Sequence, residues 1–200
     1  MKVHHTVLAL ALAAAPITAS AQDTERVQKL FEAGQHQQVV EAAQADAAPQ
    51  VLFTAGQSYQ KLGDTDQAMT QYRRLAEMPD DTPWHWIGES AQQLLQGDND
   101  AALDSARKAV ERGGDVAEAQ FQLGLVQARR QDWREAAEAF ERVTEIDPGN
   151  AYAHYYGGLM QYRANRADRM AIHFEAFLKL APQAPERPEV LQIMKTVRGR

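Results

Sequence analysis

Histidines and tyrosines are the residues in this chain whose types could support chemistry. The run AYAHYYGGLMQYR, from Ala151 to Arg163, holds four tyrosines and one histidine in thirteen residues. Beyond the first 21 residues, the other histidines are His36, His85 and His173. Imidazole nitrogens can bind metals or transfer protons, and phenol hydroxyls can hydrogen-bond a ligand. The run is therefore either a catalytic or cofactor-binding segment, or one helix of a repeated structure.

The spacing of the histidines argues against a metal site. No HExxH motif occurs, and no two histidines after residue 21 lie three or four positions apart, the spacing that a zinc-binding helix prefers. His154 and His173 could still approach each other across two packed helices. The chain has no cysteine, and it contains no GxSxG, GxGxxG or Walker motif. We therefore expect no enzymatic activity, no cofactor and no metal.

The first 21 residues have the pattern of a secretory signal peptide. Lys2 precedes an apolar run over residues 7–15, and small residues follow at 19–21. The apolar run is too short to span a bilayer, which needs roughly 20 residues, although an uncleaved anchor is the alternative. We expect cleavage after Ala21, so that the mature chain begins at Gln22 and is exported, most simply to a periplasm.

The charge of the chain restricts the kinds of partner. Its formal net charge is −6, whereas nucleic acids and anionic membrane surfaces attract a basic face. After residue 21 no apolar segment is long enough to span a membrane. We therefore expect no nucleic-acid partner and no membrane-spanning segment in the mature chain.

A segment recurs four times at a spacing of 34 residues. The related segments are LGDTDQA (62–68), QGDNDAA (96–102), RQDWREA (130–136) and ANRADRM (164–170). They define four units without insertions, at 49–82, 83–116, 117–150 and 151–184. Self-similarity at a fixed period of this length is typical of repeat architectures.

Within the units, small residues and prolines recur at fixed places. The eighth place is small in every unit, as two closely crossing helices require: Gly56, Ser90, Gly124 and Gly158. Prolines that stop a second helix follow in the last two units, at Pro148 and Pro182. This pattern resembles the tetratricopeptide repeat, a helix-turn-helix module of 34 residues. The resemblance implies an all-α, right-handed superhelical solenoid with a concave and a convex face.

The segments beside the four units fit the same architecture. Residues 22–48 resemble a degenerate N-terminal repeat with a shortened second helix. Residues 185–200 form a candidate capping helix, because Val190, Ile193, Met194 and Val197 recur at helical spacing.

The resemblance also implies a binding groove, because in this family the first helix of each repeat lines the concave face. The matching positions that we assign to a partner-binding groove are Phe53, Trp84, Ile87, Phe121, Leu125, Arg129, Tyr152, Tyr155, Tyr156, Leu159, Tyr162 and Arg163. Tyrosine and tryptophan are frequent in binding hot spots. Alternatively, the tyrosines pack as core against a neighbouring helix or the cap.

These features favour a non-enzymatic protein-interaction module. We expect an exported adaptor or scaffold that binds a protein or peptide partner in its groove, in cell-envelope assembly. One alternative is a small-ligand or glycan-binding protein, in which Trp84, Trp86 and the tyrosines stack on sugar rings. Another is a structural subunit that self-associates through its end repeats.

Overall fold

The computed structural model describes residues 17–43 and 47–199, and all regular structure within these ranges is helical. The described residues form eleven helices: α1 (Ile17–Glu32), α2 (His36–Ala42), α3 (Pro49–Lys61), α4 (Thr65–Ala76), α5 (Pro83–Gln96), α6 (Asn99–Arg112), α7 (Ala117–Arg130), α8 (Trp133–Ile146), α9 (Ala151–Arg163), α10 (Ala167–Leu180) and α11 (Arg187–Arg198).

Helices α3 to α10 form four antiparallel pairs. The first helix of each pair (α3, α5, α7, α9) begins 34 residues after the preceding one. Each helix packs on the next in the chain, both within a pair and between pairs. The result is a helical repeat solenoid, as the 34-residue period predicts.

Local residue choices fix where the helices begin. The Asp64 carboxylate accepts a hydrogen bond from the backbone N–H of Gln67 at 3.1 Å, and this caps α4. Asp98 caps α6 in the same way, through the N–H of Ala101 at 3.2 Å. Asn150 accepts from the N–H of Ala153 at 3.0 Å and caps α9. These short polar side chains pair with backbone N–H groups of the first turn that have no partner within the helix.

The small eighth place lets the two helices of a pair approach closely. A Cβ at Gly124 would lie 2.9 Å from the ring of Phe140, and Gly56 and Gly158 are packed still more tightly against Tyr72 and Phe174. A larger residue would therefore displace a buried ring. In the second repeat, the Ser90 hydroxyl instead donates to the carbonyl of Ala102 at 2.8 Å.

The two ends of the array depart from the repeat. Helix α2 has 7 residues, against 12 to 14 in α4, α6, α8 and α10. Helix α11 covers the last repeat with the buried side chains of Val190 and Met194. It therefore shields the apolar end of the solenoid, which is what a capping helix must do.

The proposed signal peptide is only partly within the described residues. Residues 1–16 lie outside them, and residues 17–21 form the beginning of α1. The expected cleavage site after Ala21 thus falls within this helix. None of the helices in the described ranges has the length and apolar character that crossing a membrane requires.

Candidate functional site on the concave face

The inner surface of the solenoid is narrow. Phe53 of α3 contacts Phe121 of α7 edge-on, with ring centroids 6.3 Å apart, although three helices, α4 to α6, separate α3 from α7 in sequence. Phe121 also meets Tyr156 of α9 at 5.7 Å, and Tyr156 stacks on Phe140 at 5.4 Å. Aromatic rings from three repeats therefore fill the middle of the concave face.

The residues assigned to the groove from the sequence divide into three groups by exposure. Those that are buried by the chain itself are Phe53, Ile87, Phe121, Tyr152 and Tyr155. Those that are half-buried are Trp84, Leu125, Tyr156, Leu159 and Tyr162. Arg129 and Arg163 are exposed. The structure thus places Tyr152 and Tyr155 in the core, and a partner could reach them only if neighbouring segments moved.

Residues 181–189, which run from the end of α10 into the first turn of α11, cover the hydroxyl ends of these tyrosines. We call this segment the C-terminal connection. Tyr152 donates a hydrogen bond from its hydroxyl to the Glu186 carboxylate at 2.7 Å. Tyr155 donates to Glu189 at 2.9 Å. Burial raises the pKa of both phenols, and the two glutamates raise it further. These hydroxyls are therefore protonated donors rather than acid–base groups.

Glu186 also joins the two ends of the array. The Lys61 ammonium group, at the end of α3, lies 2.9 Å from its carboxylate. Burial alone would raise the pKa of Glu186, but the hydrogen bonds from Lys61 and Tyr152 hold it below its usual value. We call Lys61, Tyr152 and Glu186 the clasp.

The first helix occupies part of the concave face. The ring of Phe31 packs on the ring of Tyr152, with centroids 4.8 Å apart. Gln28 and Phe31 line a small space together with Phe53 and Phe121. Helix α1 therefore lies against positions that the family resemblance assigns to the groove.

A cavity of about 280 Å³ remains on the concave face beside α1. Its walls come from the inner helices of all four repeats, from α1 and, through Tyr72, from α4: Phe31, Gln57, Gln60, Lys61, Tyr72, Ala91, Leu94, Leu95, Gln122, Leu125, Arg129 and Tyr156. The leucines give an apolar wall, while amides and two cationic groups line the remainder. Such a mixed lining suits a ligand segment with an apolar side chain and an anionic or carbonyl group.

Several polar groups of the cavity are already paired within the protein. Gln60 donates to the Tyr72 hydroxyl at 2.6 Å, and Gln122 donates to Ser90 at 3.0 Å. Within the described ranges, Arg129 has no hydrogen-bond or ion-pair partner. Arg129 is thus the cationic group that is available to an incoming ligand at this cavity.

Trp84 and Trp86 are poorly arranged to stack on sugar rings. Trp84 is half-buried against the core. Trp86 donates its indole N–H to the carbonyl of Asp80 at 2.8 Å, and the Lys108 ammonium group lies 4.3 Å from its ring centroid. At least one face of Trp86 is therefore covered by the protein itself.

His154 and His173 meet between α9 and α10. Their Nδ1 atoms are 3.3 Å apart, and Nε2 of His173 is 3.9 Å from Glu141. Burial lowers the pKa of both imidazoles. In the described part of the chain, no group of three or more His, Cys, Asp or Glu side chains is placed to hold a metal ion.

Phe31 and Glu186 are among the residues of the site that sequence reasoning missed. Both lie outside the four units, so the 34-residue period carries no information about them. The apolar pair Val27 and Phe31 at helical spacing is the signal that could have identified α1 as a packed helix. Glu186 carries no comparable signal, because its role depends on the curvature that brings α3 close to the C-terminal connection.

Helix pairs with this spacing and packing define a helical-repeat scaffold, and comparisons with known proteins identify the repeat. Models described as tetratricopeptide repeat match residues 50–80, 93–151 and 122–185. Together these matches cover well over half of the 200 residues. The chain belongs to the tetratricopeptide repeat family, whose members generally act as non-enzymatic scaffolds that bind proteins or peptides.

Solved structures share the fold at low sequence identity. TTC0263, a thermophilic tetratricopeptide protein from Thermus thermophilus, superimposes with a TM-score of 0.63 at 14% identity, over 88% of this chain and 99% of that one. YrrB, described as having an unusual peptide-binding site, gives 0.51 at 19% identity, over 92% and 88%. MamA gives 0.50 at 21% identity, over 72% and 84%.

A curated relative is the CTR9 homolog of Arabidopsis thaliana. It is 24% identical over an alignment of 156 positions that covers 72% of this chain but 14% of that protein. The chain therefore spans only a small part of this relative's length.

Proposed function

We propose that the protein is an exported adaptor or scaffold that binds a segment of a partner protein on its concave face, in cell-envelope assembly. The observation that carries the proposal is the cavity beside α1, with its leucine wall and the unpaired Arg129. An arginine fork can bind a carboxylate or carbonyl group while an apolar side chain enters beside Leu95 and Leu125. The N-terminal pattern supports export, and the family supports binding without catalysis.

The test is an affinity capture from envelope extract with the chain that begins at Gln22. Arg129→Glu reverses the charge at the cavity. Arg134→Glu is the matched control, because Arg134 is exposed on α8 and does not line the cavity. We expect a protein that is retained by the wild type and by Arg134→Glu but lost by Arg129→Glu. Equal retention by all three would overturn the assignment of the partner to this cavity.

A small ligand is the second candidate occupant, because the cavity combines an apolar wall with polar and cationic groups. The volume of about 280 Å³ is close to the lower end of small-molecule sites, which run from roughly 300 to 1,000 Å³. Native mass spectrometry of the purified chain distinguishes the two candidates. A constant added mass that Arg129→Glu abolishes would favour a small ligand over a protein segment.

A further inference from the structure

Helix α1 binds the concave face much as a separate helix would. Val27 and Phe31 lie one turn apart on the same side of α1 and are 2% and 4% exposed. Arg26 and Lys29, on the other side, are exposed. An apolar pair at positions i and i+4, inserted between inner helices, is how an amphipathic helix binds in a groove.

The attachment of α1 is limited in strength. Burial of an apolar side chain contributes about 1.5–3 kcal/mol, and in α1 only Val27 and Phe31 are fully buried among the described side chains. Cleavage after Ala21 would leave Gln22–Glu32, and isolated helices shorter than about 12–15 residues are marginal in water. Helix α1 would then be helical mainly because it is docked, and a competing helix could replace it.

One residue of α1 fits its surroundings poorly. Burial and the nearby Asp147 raise the pKa of Glu32, although the side-chain amide of Gln28 and the backbone N–H of Ala151 both donate to its carboxyl group. Burial and Asp147 also raise the pKa of Glu118, at the beginning of α7. Glu32, Glu118 and Asp147 line the same space beside α1. A basic side chain at the position of Glu32 would replace repulsion between like charges with attraction.

We propose that α1 is a removable occupant of the concave face, and that the partner is an amphipathic helix with an aliphatic residue, an aromatic residue four positions later, and a basic residue directly after it. This inference rests on the proposed function, since it identifies the segment that the concave face accepts. The partner helix places its aromatic ring against Tyr152 where Phe31 lies, and its basic residue faces Glu118 and Asp147. Binding then displaces α1 from the concave face.

The first experiment measures binding of a helix of this kind to the chain that begins at Gln22. The probe is a fluorescent peptide with the sequence of residues 22–32 and Glu32→Lys. The proteins are the wild type, Phe31→Ala, and Arg26→Ala as an exposed control on the same helix. Circular dichroism and thermal unfolding establish that each is folded, and Val27→Ala replaces Phe31→Ala if the latter is not.

We expect Phe31→Ala to bind the peptide about tenfold more tightly than the wild type, because a tethered competitor acts at a millimolar effective concentration. Arg26→Ala should bind like the wild type. A version of the peptide that carries both Glu32→Lys and Phe31→Ala should not bind. The peptide with the unmodified sequence of residues 22–32 should bind more weakly than the peptide with Glu32→Lys, which we call the lysine peptide. If the wild type and Phe31→Ala bind the lysine peptide with equal affinity, the proposal that the peptide displaces α1 is wrong. If the peptides with Lys and with Glu at position 32 bind with equal affinity, the proposal of a basic residue in the partner is wrong.

A second measurement reports on α1 directly. Because the chain lacks cysteine, the substitutions Asp23→Cys and Glu138→Cys, both at exposed positions, allow two spin labels to be attached specifically. Excess lysine peptide should broaden the distance distribution between the labels, and the Phe31→Ala peptide should leave it narrow. A distribution that stays narrow while the lysine peptide binds would show that α1 is not displaced.

Light scattering tests the remaining occupant, a second copy of the chain. If dimers form with rising concentration and require Phe31, the concave face binds α1 of another copy of the chain. The proposal that a separate protein binds there would then be wrong. The two proposals can fail independently. If Arg129→Glu abolishes capture of the partner while Phe31→Ala leaves peptide affinity unchanged, the cavity is the binding site and α1 is a fixed part of the fold.

Discussion

Two regions of the concave face differ in composition and in use. The α9 region holds Tyr152 and Tyr155, but α1 and the C-terminal connection cover them. The region formed by α5 and α7, in the middle of the array, has Leu95, Leu125 and Arg129 and borders the cavity. We call the α9 region the closed region, and the region of α5 and α7, which leaves space for a ligand, the open region. Aromatic content alone therefore does not identify the binding surface of a repeat protein.

The largest expected effect on stability comes from removing an aromatic ring in the closed region. Tyr152→Ala should lower the free energy of unfolding by about 3–5 kcal/mol, as for other large core truncations. Tyr152→Phe keeps the ring and loses the hydrogen bond to Glu186, so its cost should be about 1.5–3 kcal/mol. Urea denaturation measures both. An unfolding midpoint of Tyr152→Ala equal to that of the wild type would mean that the closed region is a mobile surface.

A smaller effect should follow from opening the clasp at Glu186. Because its pKa is held below the usual value near 4.5, Glu186 contributes stability above that pH, and the contribution is lost as the pH falls through the lowered pKa. Glu186→Gln should therefore be less stable than the wild type near neutral pH and should lose less stability on acidification. Glu145→Gln, in an exposed ion pair with Arg142, is the control and should follow the wild type. Parallel acid denaturation of all three would argue against the clasp.

The histidine pair in the fourth repeat should add a weaker dependence on pH. Burial lowers the pKa of His154 and His173, and the two imidazoles face Glu141, Arg169 and Asp147. The unfolded chain therefore takes up protons below a pH of about 6.5 while the folded chain does not, so stability falls as the pH decreases. Thermal unfolding at pH values of about 7.5 and 5.5 should show a smaller difference for His154→Gln than for the wild type. An unchanged difference would exclude this pair as the cause.

The smallest effect on stability is expected in the open region. Arg129→Glu should change the free energy of unfolding by no more than about 0.5 kcal/mol, because Arg129 is exposed and unpaired in the described part of the chain. Its effect should instead appear in partner capture. Strong destabilisation by Arg129→Glu would show that the cavity wall contributes to folding, and the closed and open regions would then not differ in their role.

The fold could be predicted because its determinants are local and repeated. Small residues at Gly56, Gly124 and Gly158 recur at the same place in the unit, and each lies against an aromatic ring of its partner helix. The second helices end before Pro148 and Pro182. Period and packing are thus written into every repeat, and agreement among four repeats makes the prediction strong.

The openness of the groove could not be predicted in the same way. The sequence places Tyr152 on the inner helix, but its burial depends on Phe31 and Glu186, which lie about 120 and 30 residues away in the chain. Tyr155 is covered in a similar way by Glu189. These contacts depend on the accumulated curvature of four helix pairs, and no single repeat encodes that quantity. A residue's place in a repeat therefore predicts which face it lies on and leaves its accessibility open.

The clasp has a consequence for how the molecule unfolds. In an open array each repeat contacts only its neighbours, so unfolding can start at either end and spread one unit at a time. Here Lys61 and Glu186 join residues 125 positions apart in sequence, and Gly34 lies so close to Pro185 that an added Cβ would be 3.1 Å from the proline ring. Pulling on the two termini would load this junction before the repeats. The molecule should resist stretching as a closed ring does and then yield in a single step, whereas an open superhelix extends like a spring.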